Sequence, residues 1–335
     1  MGYFPSLLSI IITLFLLMVA GFYCRKRNII DTVASKRLSQ LIISVGQPML
    51  IIGALSKAEF NKENLNLAWQ ATLIGVAAHL LMAVASYLIC KKMQQTDETK
   101  IFEFTLIFSN CGFIGFPILD SILGNGKGSF MGAFYIISFH LLMWTWGIII
   151  LARRRDDIKM TPKKALVNYG TVPVAIGLLL YFSKPLFSML AGLEPSGTLS
   201  TVFGFIGGFV EQTFSYLGGL CTPISTLITG SLIGTLALSK MFTNAKLYLH
   251  SFIKLIVFPV VACLIAKLCG LGEAQILLVT AMAGMPSATS ATMLAEIHDI
   301  TPGYASQTVG LTSLLSTATL PLVIFFAQWV IGLSI

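Results

Sequence analysis

Four prolines stand inside apolar segments at nearly the same interval in each half of the chain. Pro48 and Pro117 are 69 positions apart, and Pro223 and Pro286 are 63 apart. Proline removes a backbone donor and pushes against the preceding turn, so a helix that contains it kinks or breaks. In hydrocarbon no water satisfies the groups a break sets free, and such helices survive only against protein or a wet cavity. Interrupted segments at corresponding places in two halves point to the mid-membrane binding site of a secondary carrier.

The membrane assignment rests on composition. Of 335 residues, 56% are hydrophobic and 11% charged, more apolar surface than a soluble domain of this length can hide. The first apolar segment, 4–24, has its nearby charges (Arg25, Lys26, Arg27) after it and no small-residue cleavage site, so it is expected to remain as a span rather than serve as a signal peptide. The six cysteines show no metal spacing and read as small hydrophobes. No metal or cofactor is expected. The net charge of +8 is confined to short loops, which excludes a nucleic-acid partner.

Stretches long enough to cross about 30 Å of hydrocarbon predict an all-α integral membrane fold of ten transmembrane spans. They lie near 4–24, 37–56, 68–90, 102–122, 129–151, 165–183, 215–238, 247–268, 274–295 and 304–333. Segment 198–214 is short, glycine-rich and carries Glu211, and reads as an interfacial or re-entrant helix. Loops after odd-numbered spans hold sixteen Lys/Arg and the others five. That bias places the odd loops in the cytoplasm and both termini outside. Residues 1–152 form the first five-span repeat, 153–164 a cytoplasmic linker and 165–335 the second repeat. Five spans per repeat force the halves into opposite orientation.

Span four packs Ser109, Asn110, Gly112, Gly115 and Pro117 into nine residues, and span nine places Met285, Pro286, Ser287 and Thr289 together. Such sequences weaken a helix and set polar side chains beside the break, which is expected near 112–117 in span four and 284–287 in span nine. Half-helix ends there present N–H and C=O groups that can hold a carboxylate without a buried basic residue. These nine residues are the candidate substrate contacts. Small residues also serve tight helix packing, but two such segments at matching places favour a site.

SNCGFIGFPIL (109–119), LLMWTWG (141–147), CTPISTLITGSLIG (221–234) and AMAGMPSATSATMLAE (281–296) resemble the auxin efflux carrier family, within the bile acid/sodium symporter-like superfamily. The likeness runs over essentially the whole chain. The short stretch 151–165 lacks the long cytoplasmic loop of plant members, as in compact bacterial-type members. The resemblance implies an elevator-type carrier of a small organic anion in the cytoplasmic membrane. Spans one, two, six and seven would form a scaffold, through which a homodimer is implied. The other six would form a transport domain in which broken spans four and nine cross, with Asn110 beside the anion. Sodium-coupled relatives place an acidic residue near the span-nine break, whereas 280–295 contains none, which argues against sodium coupling.

His140, His79 and Lys254 are the coupling candidates. Lys254 is the only basic residue deep in a span, where charge is expensive and commonly functional, although snorkelling to the cytoplasmic interface is the favoured reading. A lone membrane histidine is more often a packing residue, but its pKa suits a proton carrier. Gln47 is expected at the scaffold–transport boundary, and Glu296 and His298 in a solvated loop. No nucleotide-binding, esterase or zinc-protease motif occurs. An enzyme or ATP-driven pump is therefore not expected. The alternative class is a membrane sensor that binds a small anion on a carrier fold without moving it.

Overall fold

A computed structural model describes residues 3–124, 126–155, 161, 163, 167–192, 198–235 and 242–332. The expected linker, the start of span six and the ends of spans seven and ten lie partly outside these residues. The chain is helical throughout what is described: α1 (Tyr3–Lys26), α2 (Thr32–Lys57), α3 (Lys62–Lys91), α4 (Asp97–Ile107), α5 (Phe116–Leu123), α6 (Lys127–Ala152), α7 (Thr171–Gly192), α8 (Thr198–Gly219), α9 (Cys221–Ile233), α10 (Ala245–Leu268), α11 (Glu273–Gly284), α12 (Thr289–Ile297) and α13 (Pro302–Ile331). Six stretches among the described residues are long and apolar enough to cross a membrane. They are α2, α3, α6, Gly207–Ile233, α10 and α13, with shorter apolar helices at Thr171–Leu186 and Glu273–Gly284. Side-chain caps start the helices at the wet ends. Asp31, Asn61 and Thr96 each accept from the backbone N–H three residues on, satisfying donors that the first turn leaves free.

The prolines are accommodated in a way the sequence reading did not anticipate. Pro48 does not break α2. A π-helical turn at Ile42–Gly46 precedes it, and the helix continues to Lys57. The same device precedes Pro117, at Cys111–Gly115, and Pro259, at Ile253–Val257. Where proline cannot donate, widening one turn relieves the clash and keeps the helix running. Pro223 lies in the first turn of α9, where a missing donor does no harm. Segment 198–214 is likewise not a separate short helix. It opens α8, which runs to Gly219 and meets α9 at Leu220. A Cβ on Gly207, Gly208 or Gly219 would meet nothing within 4 Å, so these glycines are ordinary helix positions, weak formers by about 1 kcal/mol each but not stops.

The helices pack as two groups. In one, α1 lies along α9, while α7, α8 and α9 pack on α2. In the other, α3–α6 and α10–α13 pack among themselves, and α13 touches α4, α10, α11 and α12. Seams join the groups where α13 meets α1 and α9, and where α12 and α6 meet α2. The α1–α9 contact is backbone on backbone. A Cβ on Gly21 would overlap the Leu227 carbonyl, and one on Gly230 the Met18 carbonyl. Without a solvent-driven force between helices in lipid, such close approach supplies the attraction. Gly230→Val is therefore expected to force the pair apart and destabilise the protein by about 3 kcal/mol, the upper end of overpacking effects. An unchanged thermal unfolding midpoint in nanodiscs would contradict it.

A crossover of two interrupted helices

Helix α4 stops at Ile107, Phe108 is extended, and a tight turn at Asn110 leads into the π-helical turn that opens α5. Helix α11 stops at Gly284, and Met285–Ala288 carry the chain to α12. The second break falls where the sequence placed it. The first lies a few residues earlier than the expected 112–117, because Gly112, Gly115 and Pro117 belong to the opening turns of the second half-helix, where proline is preorganised.

The two breaks meet. Ser109 and Ser287 form an isolated antiparallel bridge, in which Asn110 N–H donates to the Pro286 carbonyl at 2.8 Å and Ala288 N–H to the Phe108 carbonyl at 2.9 Å. Ser287 N–H donates to Thr312 Oγ1 at 3.2 Å, and its hydroxyl to the Thr105 carbonyl at 3.1 Å. Donors freed by each break thus satisfy acceptors freed by the other, as a dry interior requires. Gly112 and Gly115 permit the packing: a Cβ would lie 2.8 Å from Ile136 Cδ1 at the first and 3.1 Å from Met282 Sδ at the second.

Lys254 reaches this junction instead of snorkelling. It is fully buried, and its Nζ donates to the Leu106 carbonyl at 2.8 Å and to Ser109 Oγ at 2.7 Å. The π-helical turn that holds it aims the side chain inward, at the C-terminal end of α4, where the helix dipole favours a cation.

Of the other candidate residues, Asn110 and Thr289 carry the polarity left for a ligand. Asn110 is 4% exposed and its amide makes no hydrogen bond among the described residues. It lines two small cavities, one bounded by α1, α9 and α13 that Thr289 also lines, the other bounded by Gln47, Leu50 and His140. Thr289 Oγ1 is buried and unpartnered. Met285 is buried, and Pro117 enters only through its place at the start of α5. Gln47 Nε2 lies 3.0 Å from His140 Nδ1, joining α2 to α6 across a seam, while Gln47 Oε1 and His140 Nε2 have no partner. His79 stands apart. Its Nδ1 meets the Gly75 carbonyl and Ser138 Oγ, and its ring packs among Phe108, Tyr135 and Phe139.

A cleft of about 680 Å³ opens beside the crossover between α2, α3, α5, α6 and α8, with Lys57, Glu63 and Lys127 at its mouth. Leu50 lines both this cleft and the cavity at His140. At the opposite end, Glu296 overturns its expected place in a solvated loop. It is 6% exposed, and Oε2 accepts from Ser35 and Ser39 of α2 at 3.1 Å each. The cause is that α12 packs directly on α2. On the same side Glu103, fully buried, is held bidentately by Arg153 at 2.6 and 2.7 Å. Sequence reasoning missed the Lys254 junction, the Glu296 contact and this ion pair, since each partner lies 50 or more positions away.

This is a multi-pass membrane protein whose polar centre is made by two interrupted helices. Residues 7–324 match the family described as membrane transport protein, that of the auxin efflux carriers, and the chain belongs to it. It is 22% identical to an uncharacterized transporter of Methanothermobacter thermautotrophicus over 96% of this chain and 97% of the relative. It is 19% identical to the uncharacterized transporter YfdV of Escherichia coli K12 over the same shares.

Removing one member of a buried ion pair strands the other. Arg153→Gln is expected to destabilise the protein by about 3 kcal/mol, read as a lower unfolding midpoint. The double change with Glu103→Gln should recover much of that loss, and equal loss in both variants would contradict the account.

Proposed function

We propose that the protein is a secondary or facilitative carrier of a small organic anion, a carboxylate, across the cytoplasmic membrane, with ten spans in two inverted five-span repeats and both termini outside. The observation that carries this reading is Asn110: an amide without a hydrogen bond, at the meeting point of two broken helices, lining cavities on both of its sides. A buried polar group left without a partner is costly unless a ligand completes it. Family membership and the printed names of the relatives support the transporter class.

The two helix groups support an elevator mechanism. Helices α1, α2 and α7–α9 act as the scaffold, also the surface for a homodimer. The remaining helices move as a transport domain that carries the crossover. The 680 Å³ cleft is lined by Lys57, Ala58, Glu59, Gly126 and Lys127, in loops that the charge bias assigns to the outside. The Glu296–Ser35–Ser39 contact lies on the opposite side, and this arrangement fits an outward-facing carrier. Uptake is independent of sodium, because 280–295 supplies no carboxylate. If protons drive it, His140 is the titrating group, since its Nε2 has no partner at the seam where Nδ1 meets Gln47. His79, committed to packing, is the weaker candidate.

A thermal-shift screen of small mono- and dicarboxylates, followed by uptake of the hit into proteoliposomes, tests the reading. Asn110→Ala should weaken binding by roughly 0.5–1.5 kcal/mol, up to about tenfold, with uptake unchanged when potassium or choline replaces sodium. Wild-type affinity in Asn110→Ala would remove the residue from the site, and strict sodium dependence would overturn the coupling claim.

A further inference from the structure

Lys254 poses a problem that packing alone does not answer. Its side chain is fully buried in the middle of a hydrophobic bundle, and no carboxylate lies within ion-pair distance of it among the described residues. A buried charge without a counter-ion is strongly disfavoured, and a neutral side chain fills such a place at lower cost. Yet Nζ is held by two short hydrogen bonds, to the Leu106 carbonyl and Ser109 Oγ. A third oxygen in the same layer, the Thr105 carbonyl, takes the Ser287 hydroxyl.

The surroundings are those of a small cation. A carbonyl freed at the end of a broken helix, a hydroxyl beside it and the negative end of the α4 dipole are oxygen donors of the kind that replace the hydration shell of a monovalent metal ion. His250, one turn before Lys254 on the same helix, is engaged with Thr105 Oγ1 at 2.9 Å and, being neutral or cationic, offers no counter-charge. Ser109, which accepts from Nζ, is one residue from Asn110 in sequence and is itself a member of the bridge between the two breaks. An ammonium there stabilises the free C=O end of α4 and sets one fixed positive charge beside the crossover.

We propose that the Lys254 ammonium is a covalently tethered replacement for a monovalent cation at the crossover, and that removing it exposes a site which sodium or a small ammonium ion then fills. The proposal rests on the carrier reading for its purpose: with one positive charge built in, the crossover matches a single carboxylate and needs no ion from solution. The cation site itself stands on the geometry, and its test involves no transport.

Lys254→Ala shortens the side chain and leaves the oxygens in place. Lys254→Gln supplies an amide donor for the same oxygens without the charge. Each is purified in nanodiscs, and thermal unfolding is followed in sodium chloride, methylammonium chloride or choline chloride at equal ionic strength. The wild type should unfold at the same midpoint in all three and show no saturable binding of radioactive sodium. Lys254→Ala should be less stable in choline and gain a saturable rise of about 2–4 °C in sodium or methylammonium, with stoichiometric sodium binding. A midpoint for Lys254→Ala that is the same in all three salts, or sodium binding by the wild type, overturns the proposal. Should Lys254→Ala be unrecoverable in every salt, Lys254→Gln decides. A midpoint equal to the wild type shows that hydrogen bonding suffices and overturns the proposal, and a lower one supports the requirement for charge. Absence of carboxylate uptake by the wild type, with these cation responses intact, would refute the carrier reading and leave the cation site standing.

Discussion

An interrupted helix in an apolar interior must find partners for the backbone groups it releases, and the centre of this protein follows from that requirement. One break would leave donors and acceptors stranded at several kcal/mol each. Two breaks placed against each other exchange them: Asn110 donates to Pro286 and Ala288 to Phe108. Side chains add to this exchange: Thr312 and Lys254 of neighbouring helices meet the Ser287 N–H and the Leu106 carbonyl, and Ser287 itself donates to the Thr105 carbonyl. The crossover therefore holds α10 and α13 as well as its own four half-helices, and this accounts for the close packing of that helix group.

The protein treats buried charge in two ways. Near the basic loop, Glu103 is neutralised by a bidentate Arg153 whose side chain still reaches solvent, a geometry that suits guanidinium. At the crossover Lys254 has no anionic partner and relies on a helix end and neutral oxygens. The first arrangement is structural. As the ammonium we propose, the second sets a positive charge close to Asn110, which is favourable for the anion we propose is carried there.

The helical, membrane-spanning character was legible in the sequence, because apolar length is a local signal. The ten expected apolar segments each correspond to helix, and the two glycine–proline clusters lie at breaks. The position of the first break was misjudged, since Pro117 marks the start of a half-helix and not its interruption. Pro48 was over-read for a related reason: a π-helical turn absorbs it within α2. The roles of Lys254 and Glu296 were illegible. Their partners lie 148 and about 260 positions away, and nothing in spacing or periodicity reports that. Asn110 was a candidate through its place in a motif that resembles the family's, and the structure adds that its amide makes no hydrogen bond among the described residues.

The central claim is that the crossover moves relative to α2 when the protein works. Ser39 and Glu296 face each other across that seam at 3.1 Å. With both replaced by cysteine in a background lacking the six native cysteines, oxidation should link α2 to α12. Counterflow of a radiolabelled carboxylate in proteoliposomes should then stop, and it should return when dithiothreitol reopens the link. Undiminished counterflow in the fully cross-linked protein would contradict the account.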